Sequence, residues 1–321
     1  MAVECERTLA FAISDSNTSA YIDLAQCLSA INRRLYRQGK CYYIQKLQWL
    51  SASALSGGST SSKVGISTVP YNWVTRNAWV KAFNLWRDMN KKVLHDNPSV
   101  QGKWADFKVF FDGAHYSGGQ TSEGPDLNLK PRDAALAAVH PGEWEMSVFV
   151  NPQHSVNTGT GEPLAADEYF SHMLGADVAG SGSPNLLASA GIIQGYQDTR
   201  AQVRTGTPEV PAAMSTSWMT LLTDDGSQEP ELADVLEDAN DAPPYDADEY
   251  PGASGNFNGG VLQTQMICTV NNQIEKDIGF PVPFGLLKVN RSLVDDSNGG
   301  LLIVTLAPGK YHGVMATEVK Q

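Results

Sequence analysis

In the stretch GAHYSGG, residues 113–119, a histidine and a serine stand two positions apart, the residue types of a base and a nucleophile. Such a pair performs acyl transfer only when an acid orients the imidazole and donors hold an oxyanion. Neither is visible near His115 and Ser117, and the surrounding glycines read as a surface loop. His95, His140, His154, His172 and His312 are scattered singly. There is no G-x-S-x-G, no G-x-x-x-x-G-K-[ST] phosphate loop and no H-E-x-x-H. The expectation is a protein without an active site.

Carboxylates are the second candidate chemistry. Between Asp224 and Glu249 there are 11 Asp/Glu and no Lys or Arg. Two acids about 5–10 Å apart would suffice for glycoside hydrolysis. A hydrolase acid also needs an apolar wall to raise its pKa, and this tract has few apolar residues to supply one. A solvated loop fits better. Oxygen ligands for calcium are plentiful there, from Asp224, Asp225, Asp246, Asp248 and Glu249, at a spacing that matches no EF-hand loop. Calcium is the one cofactor the residues suggest.

The third chemistry is nucleic-acid binding. NWVTRNAWVKAFNLWRDMNKKV, residues 72–93, holds three tryptophans and five Lys/Arg. Bases stack on rings while cations hold phosphates, but an amphipathic helix has the same composition. At helical spacing Trp79, Ala82, Phe83, Trp86 and Val93 share a face that Leu85 and Met89 widen. Lys81, Lys91 and Lys92 lie opposite, with Arg76 and Arg87 at the border; Trp73 alone is out of place. The rings therefore read as core, and the cations as a solvated face open to phosphate.

These residues need elements to position them. VECERTLAFAI (3–13) reads as a strand, and the polar SDSNTS then precedes a helix beginning near Ser19 or Ala20 and ending near Gly39. In that helix Tyr21, Leu24, Leu28, Ile31 and Leu35 repeat at three-four spacing, with Arg33, Arg34 and Arg37 opposite. Strands follow at 41–53, 63–69, 106–112 and 143–151, around the tryptophan helix. Residues 113–142 read mostly as loop, 165–174 as a short helix, 189–203 as ambiguous and 214–222 as a strand. The last strands are 261–270, 284–294 and 301–316, the final two joined by DDSNGG, a hairpin-turn signal. Strands and helices do not alternate regularly. The pattern points to a mainly β chain of about eight strands, an antiparallel β-sandwich with helices and long loops in its connections.

Composition bounds the rest. The chain has 321 residues and a net charge of −12. Residues 1–110 carry 14 Lys/Arg against 7 Asp/Glu, while 111–321 carry 9 against 28. The charge is thus a dipole along the sequence. Cys5, Cys27, Cys41 and Cys268 lack any metal-type spacing and read as reduced thiols of a cytosolic or nuclear protein. Glu4 and Glu6 ahead of LAFAI argue against a secretory signal, and no apolar run is long enough to span a bilayer.

STVPYNWVTRNAWVKAFNLWRDMNKKV, then KWADFKVFFDGAH and the late LLIVTLAPGKYHGVMA, resemble the capsid proteins of small circular Rep-encoding single-stranded DNA viruses. The resemblance is strongest over residues 67–115 and 301–316. It implies an eight-stranded jelly roll over 1–321 as a single domain with insertions, 223–260 being an acidic loop or surface projection within it. It further implies self-assembly into an icosahedral homo-oligomeric shell, of about 60 copies in its simplest form, enclosing single-stranded DNA in a virion built inside the host cell. Many such proteins begin with an arginine-rich arm, whereas MAVECERTLAF opens a stretch of 30 residues with one Arg. Genome contact would then fall to folded cations: Arg33, Arg34, Arg37 and Lys40, with Arg76, Lys81, Arg87, Lys91 and Lys92. Two rival functions remain open on the same scaffold. One is carbohydrate binding through Tyr116, Trp144, Tyr245 and Tyr250, the other a carboxylate hydrolase.

Overall fold

The computed structural model describes residues 5–13, 19–51, 62–118, 120–121, 124–125, 128–151, 167–179, 187–199, 249–269, 274–292 and 299–319. In chain order the first elements are β1 (Thr8–Ile13), β2 (Ser19–Asp23), α1 (Leu24–Asn32), β3 (Lys40–Ser51) and β4 (Ser62–Thr68). The middle holds α2 (Trp73–Asp96), β5 (Phe110–Asp112), α3 (Gly113–Ser117), β6 (Phe149–Asn151), β7 (Asp167–Leu174), β8 (Val178–Ala179), β9 (Leu187–Gly191) and α4 (Ile192–Asp198). The last are β10 (Val261–Cys268), β11 (Ile274–Ile278), β12 (Pro281–Val282), β13 (Leu286–Ser292), β14 (Gly300–Leu306) and β15 (Ala316–Glu318).

The protein is mainly β. One antiparallel sheet runs β1–β14–β3–β11, with β12 and β15 added to the start of β3. A second antiparallel sheet runs β10–β4–β13–β2. Alternation with period two aims one side of each strand inward. Leu9, Phe11 and Ile13 of β1, Leu47 and Trp49 of β3 and Leu302, Val304 and Leu306 of β14 meet Ile22, Val64, Ile66, Met266, Leu287 and Val289 of the other sheet in one core. At Gly300 a Cβ would come within 2.3 Å of the Trp49 ring, so only glycine lets β14 cross that indole.

Between β4 and β10 the chain builds a second layer. A mixed sheet runs β8–β9–β7–β5, with β6 on β7; β7 is parallel to both β5 and β9. Its core joins Trp79 of α2, Phe107, Phe111, Leu174 and Ile193 to Tyr21, Phe284 and Leu286 from the outer side of the second sheet.

Several sequence expectations change here. Ser19–Asp23 is a strand, so α1 starts at Leu24. Tyr21 and Ile22 are buried on opposite sides, in the two different cores, which a strand permits and helical spacing hides. Asp23 accepts from the backbone N–H of Ala25 and Gln26, at 2.9 and 3.1 Å, and so caps the helix. Within the segment expected as a short helix, 165–174, the described residues Asp167–Leu174 form strand β7, and the expected loop contains α3. Of 106–112 and 143–151 only Phe110–Asp112 and Phe149–Asn151 pair as strands. The expected hairpin around DDSNGG does not form: β13 pairs with β2 and β4, and β14 with β1 and β3. Both strands bury one side in the same core, so they face each other across it. The expected strand at 214–222 lies outside the described residues. Among the described residues no helix is long and apolar enough to cross a membrane.

Candidate nucleic-acid interface

The turn after α1 holds its cations outward. Arg33 closes the helix in the left-handed region, at φ 52°. Tyrosines then fix the turn. The Tyr36 N–H donates to Ser29 Oγ at 2.9 Å, and the Tyr36 hydroxyl donates to the His312 carbonyl at 2.9 Å. The Tyr42 hydroxyl donates to the Arg37 carbonyl at 2.8 Å, and the Arg37 N–H donates to the Tyr311 hydroxyl oxygen at 3.1 Å. Arg33 and Arg34 stay exposed and ion-pair with nothing among the described residues. Arg37 is anchored by Asp106, 3.0 Å from its guanidinium, and by the Ala105 carbonyl at 3.1 Å. Burial pushes the Asp106 carboxyl above its ordinary range, against the pull of Arg37 and the Gln38 N–H. Lys40 pairs with Glu318 and lies 4.3 Å over the Tyr311 ring. Arg33, Arg34, Arg37, Lys40, Tyr311 and Glu318, with Trp104 and His312, line a cleft of about 510 Å³.

Helix α2 supplies the neighbouring wall. Asn72 caps it by accepting from the Thr75 N–H at 2.9 Å, and Val74, Thr75, Ala78 and Trp79 are buried. Trp79 stacks on Phe83 at 5.2 Å and packs against Phe107 and Phe284, and Trp86 lies 5.7 Å from Phe107. The core reading thus holds for Trp79, Phe83 and Trp86, while Leu85 and Val93 are exposed. A second cleft of about 570 Å³ is lined by Phe83 and Trp86 of this aromatic row together with Arg37, Arg87, Lys91, Lys103 and Asp106. Exposed Asp88 lies 3.9 Å from Arg87 and 3.5 Å from Lys91, ion pairs that solvent leaves weak.

Of the nine cations expected to meet nucleic acid, six come together: Arg33, Arg34, Arg37, Lys40, Arg87 and Lys91. Lys81 and Lys92 fall on the other flank of α2, along an apolar groove of about 690 Å³, where Lys81 donates to Thr199 Oγ1 at 2.8 Å. Arg76 lines none of these clefts. Arg37 and Lys40 do not lie on α1 or its end but beyond it, Arg37 in the connection to β3 and Lys40 as the first residue of that strand. Sequence reasoning missed Lys103, Trp104, Tyr311 and His312. The adjacent cation and indole of GKWADF were a visible signal, but nothing in the order of residues brings 103–104 beside 33–40.

His115 and Ser117 form no nucleophilic pair. Ser117 donates to the Gly113 carbonyl at 2.8 Å. His115 is fully buried: the Phe111 N–H donates to Nδ1 at 3.1 Å, which leaves Nε2–H to donate to Asn128 Oδ1 at 2.8 Å. Burial holds its pKa down near 3, so the imidazole is neutral. It stacks on Tyr21 at 4.1 Å, and the Tyr21 hydroxyl donates to Asp112 at 2.7 Å. Lys288 lies 2.7 Å from the other Asp112 oxygen. This polar cluster joins β2 and β13 of the second sheet to α3 of the inserted layer.

The glycan candidates are packed inward: Trp144 is buried, Tyr116 lies against Phe110 and Phe170, and Tyr250 against Tyr196 and Trp73. Tyr245 lies outside the described residues, as do the calcium candidates Asp224, Asp225, Asp246 and Asp248. The Glu249 carboxylate sits against Gly255, where a Cβ would come within 2.3 Å of it. Among the described residues no three His, Cys, Asp or Glu converge as metal ligands. The four cysteines are free thiols. Set beside known protein families, curated proteins and solved structures, the chain matches none of them.

Proposed function

We propose that this chain is the coat protein of a single-stranded DNA virus, a jelly-roll subunit whose copies close an icosahedral shell. The strand order carries the reading. Taken as eight strands in sequence, β1, β2, β3, β4, β10, β11, β13 and β14, the two sheets run 1-8-3-6 and 5-4-7-2. That is the order produced when one long antiparallel ribbon wraps into two facing sheets, the double Greek key of a jelly roll. The inserted layer then occupies the connection between the fourth and fifth strands, and 223–260 belongs to the same connection.

A jelly roll also serves lectins and cupins, so the step from fold to function needs a second support. It comes from the edge where both sheets end. There β10 and β11 leave Leu262, Ile267, Ile274 and Ile278 in water, Ile278 at 84% exposure. Apolar side chains on strands that have one free edge among the described residues suit contact with other copies. The role is structural, with cations around Arg37 facing the genome and calcium at the acidic tract as an assembly ligand. The test is light scattering on purified protein after size exclusion, with the 260/280 nm absorbance ratio of each peak. Particles of megadalton mass with a high ratio that falls after nuclease and salt are expected. A monomer that persists with calcium and at pH 5 overturns the reading in favour of a glycan-binding or hydrolytic sandwich.

A further inference from the structure

The two basic clefts are one channel. They share Arg37, and the consecutive Lys103 and Trp104 line one each. Within it Arg37 and Lys40 are neutralised by Asp106 and Glu318. Among the described residues Arg33, Arg34 and Lys103 have no ion pair, and Arg87 and Lys91 share the single, exposed Asp88. Trp104 stands among these cations at 60% exposure, with Lys103 Nζ 4.9 Å from its ring. Trp79 is buried, and Trp86, though it lines the second cleft, is half-buried against Phe83 and Phe107, so Trp104 is the most exposed indole of this channel. A cationic groove with an exposed ring beside it is the arrangement that tracks a single-stranded backbone and stacks its bases.

We propose that this channel binds single-stranded nucleic acid without sequence preference, with phosphates on Arg33, Arg34, Arg87, Lys91 and Lys103 and a base stacked on Trp104. The inference rests on the genome-contact part of the proposed function and gives it an address. The fold separates stacking from packing: Trp104 stacks, while the tryptophans of α2 pack.

Binding of a fluorescent oligothymidylate of about 15 nucleotides, followed by anisotropy across a salt series, tests it. Trp104→Ala is expected to weaken binding about 5- to 100-fold and Trp104→Phe to retain most of it. Arg33→Ala with Arg34→Ala lowers the slope of log K against log salt by about 1.4. Lys46→Ala with Lys63→Ala, on the two sheets, serves as the control and leaves binding as in the parent. Because Trp104 is exposed, an unchanged thermal midpoint verifies that its variants fold. Equal binding by parent and Trp104→Ala, or an equal loss in the control, overturns the proposal. So does inorganic polyphosphate that competes fully while Trp104 has no effect, which marks a general polyanion site. Light scattering on the same samples separates the two readings. Particles that form without Trp104-dependent binding remove only this inference, and monomers that bind through Trp104 remove only the shell.

Discussion

At the scale of single residues, the buried polar groups govern how stability responds to change. Lys288 and Asp112 are mostly shielded from water, 2.7 Å apart. Removing the ammonium leaves a buried carboxylate whose other partners are the Tyr21 hydroxyl and the His115 N–H. Lys288→Met is expected to cost roughly 3 kcal/mol in denaturant unfolding, against under about 0.5 kcal/mol for Lys63→Met. Asp23 responds to pH. Burial raises its carboxyl from 3.8 to about 6, only partly offset by donors from Gln38, Gln26 and Ala25. A raised folded pKa stabilises most below the unfolded value and is lost as pH climbs through 6. Asp23→Asn lacks this dependence, so its stability relative to the parent should rise by roughly 2 kcal/mol between pH 4 and pH 7. A flat difference across that range, measured by urea titration, contradicts the assignment. His115 works in the opposite sense: held down near 3, it stabilises above the ordinary imidazole range and loses that contribution as pH falls toward 3.

At the scale of elements, α2 presents two different flanks, one packed and one cationic. Its first turns are buried by Trp79, at 5% exposure, whose ring fills the space over Gly39, where a Cβ would come within 2.5 Å. Trp79→Ala is expected to destabilise by about 3–5 kcal/mol, while the folded fraction binds oligonucleotide as the parent does. Equal loss of binding and stability would place the α2 tryptophans in the interface after all. The aromatic spacing was legible because Trp79, Phe83 and Trp86 follow the helical period. The strand at Ser19–Asp23 was not, since Tyr21, Leu24 and Leu28 mimic that period while two separate cores claim Tyr21 and Ile22.

At the scale of the whole molecule, the proposed shell rests on surfaces. Ile278 and Ile274 sit on β11, at one edge of the first sheet, beside β10 at the edge of the second. Thr264 of β10 donates to Asp277 of β11, so the two edge strands are tied side chain to side chain. Ile278→Asp is expected to abolish particle formation with little change in the unfolding midpoint, since an exposed side chain contributes little to the fold. Particles of parental size from Ile278→Asp would remove this edge from the shell contacts. Copies at −12 each repel one another unless something offsets the charge. Divalent cations or mild acid should therefore favour assembly, and assembly unchanged from pH 5 to pH 8 with chelator would contradict that.

The sequence by itself determined the β-rich class, the amphipathic character of residues 72–93 and the identity of most of the cations. Each is written in local period or composition, where burial of one side leaves its mark on residue order. Only the tertiary structure decided which sheet each strand joins, because β13 and β14 carry the same alternation whether they pair or face each other across a core. It also split the nine candidate cations, six to the channel and three away from it. Lys103 and Trp104 joined the channel through packing of chain segments some 65 residues apart, a proximity that no local pattern encodes.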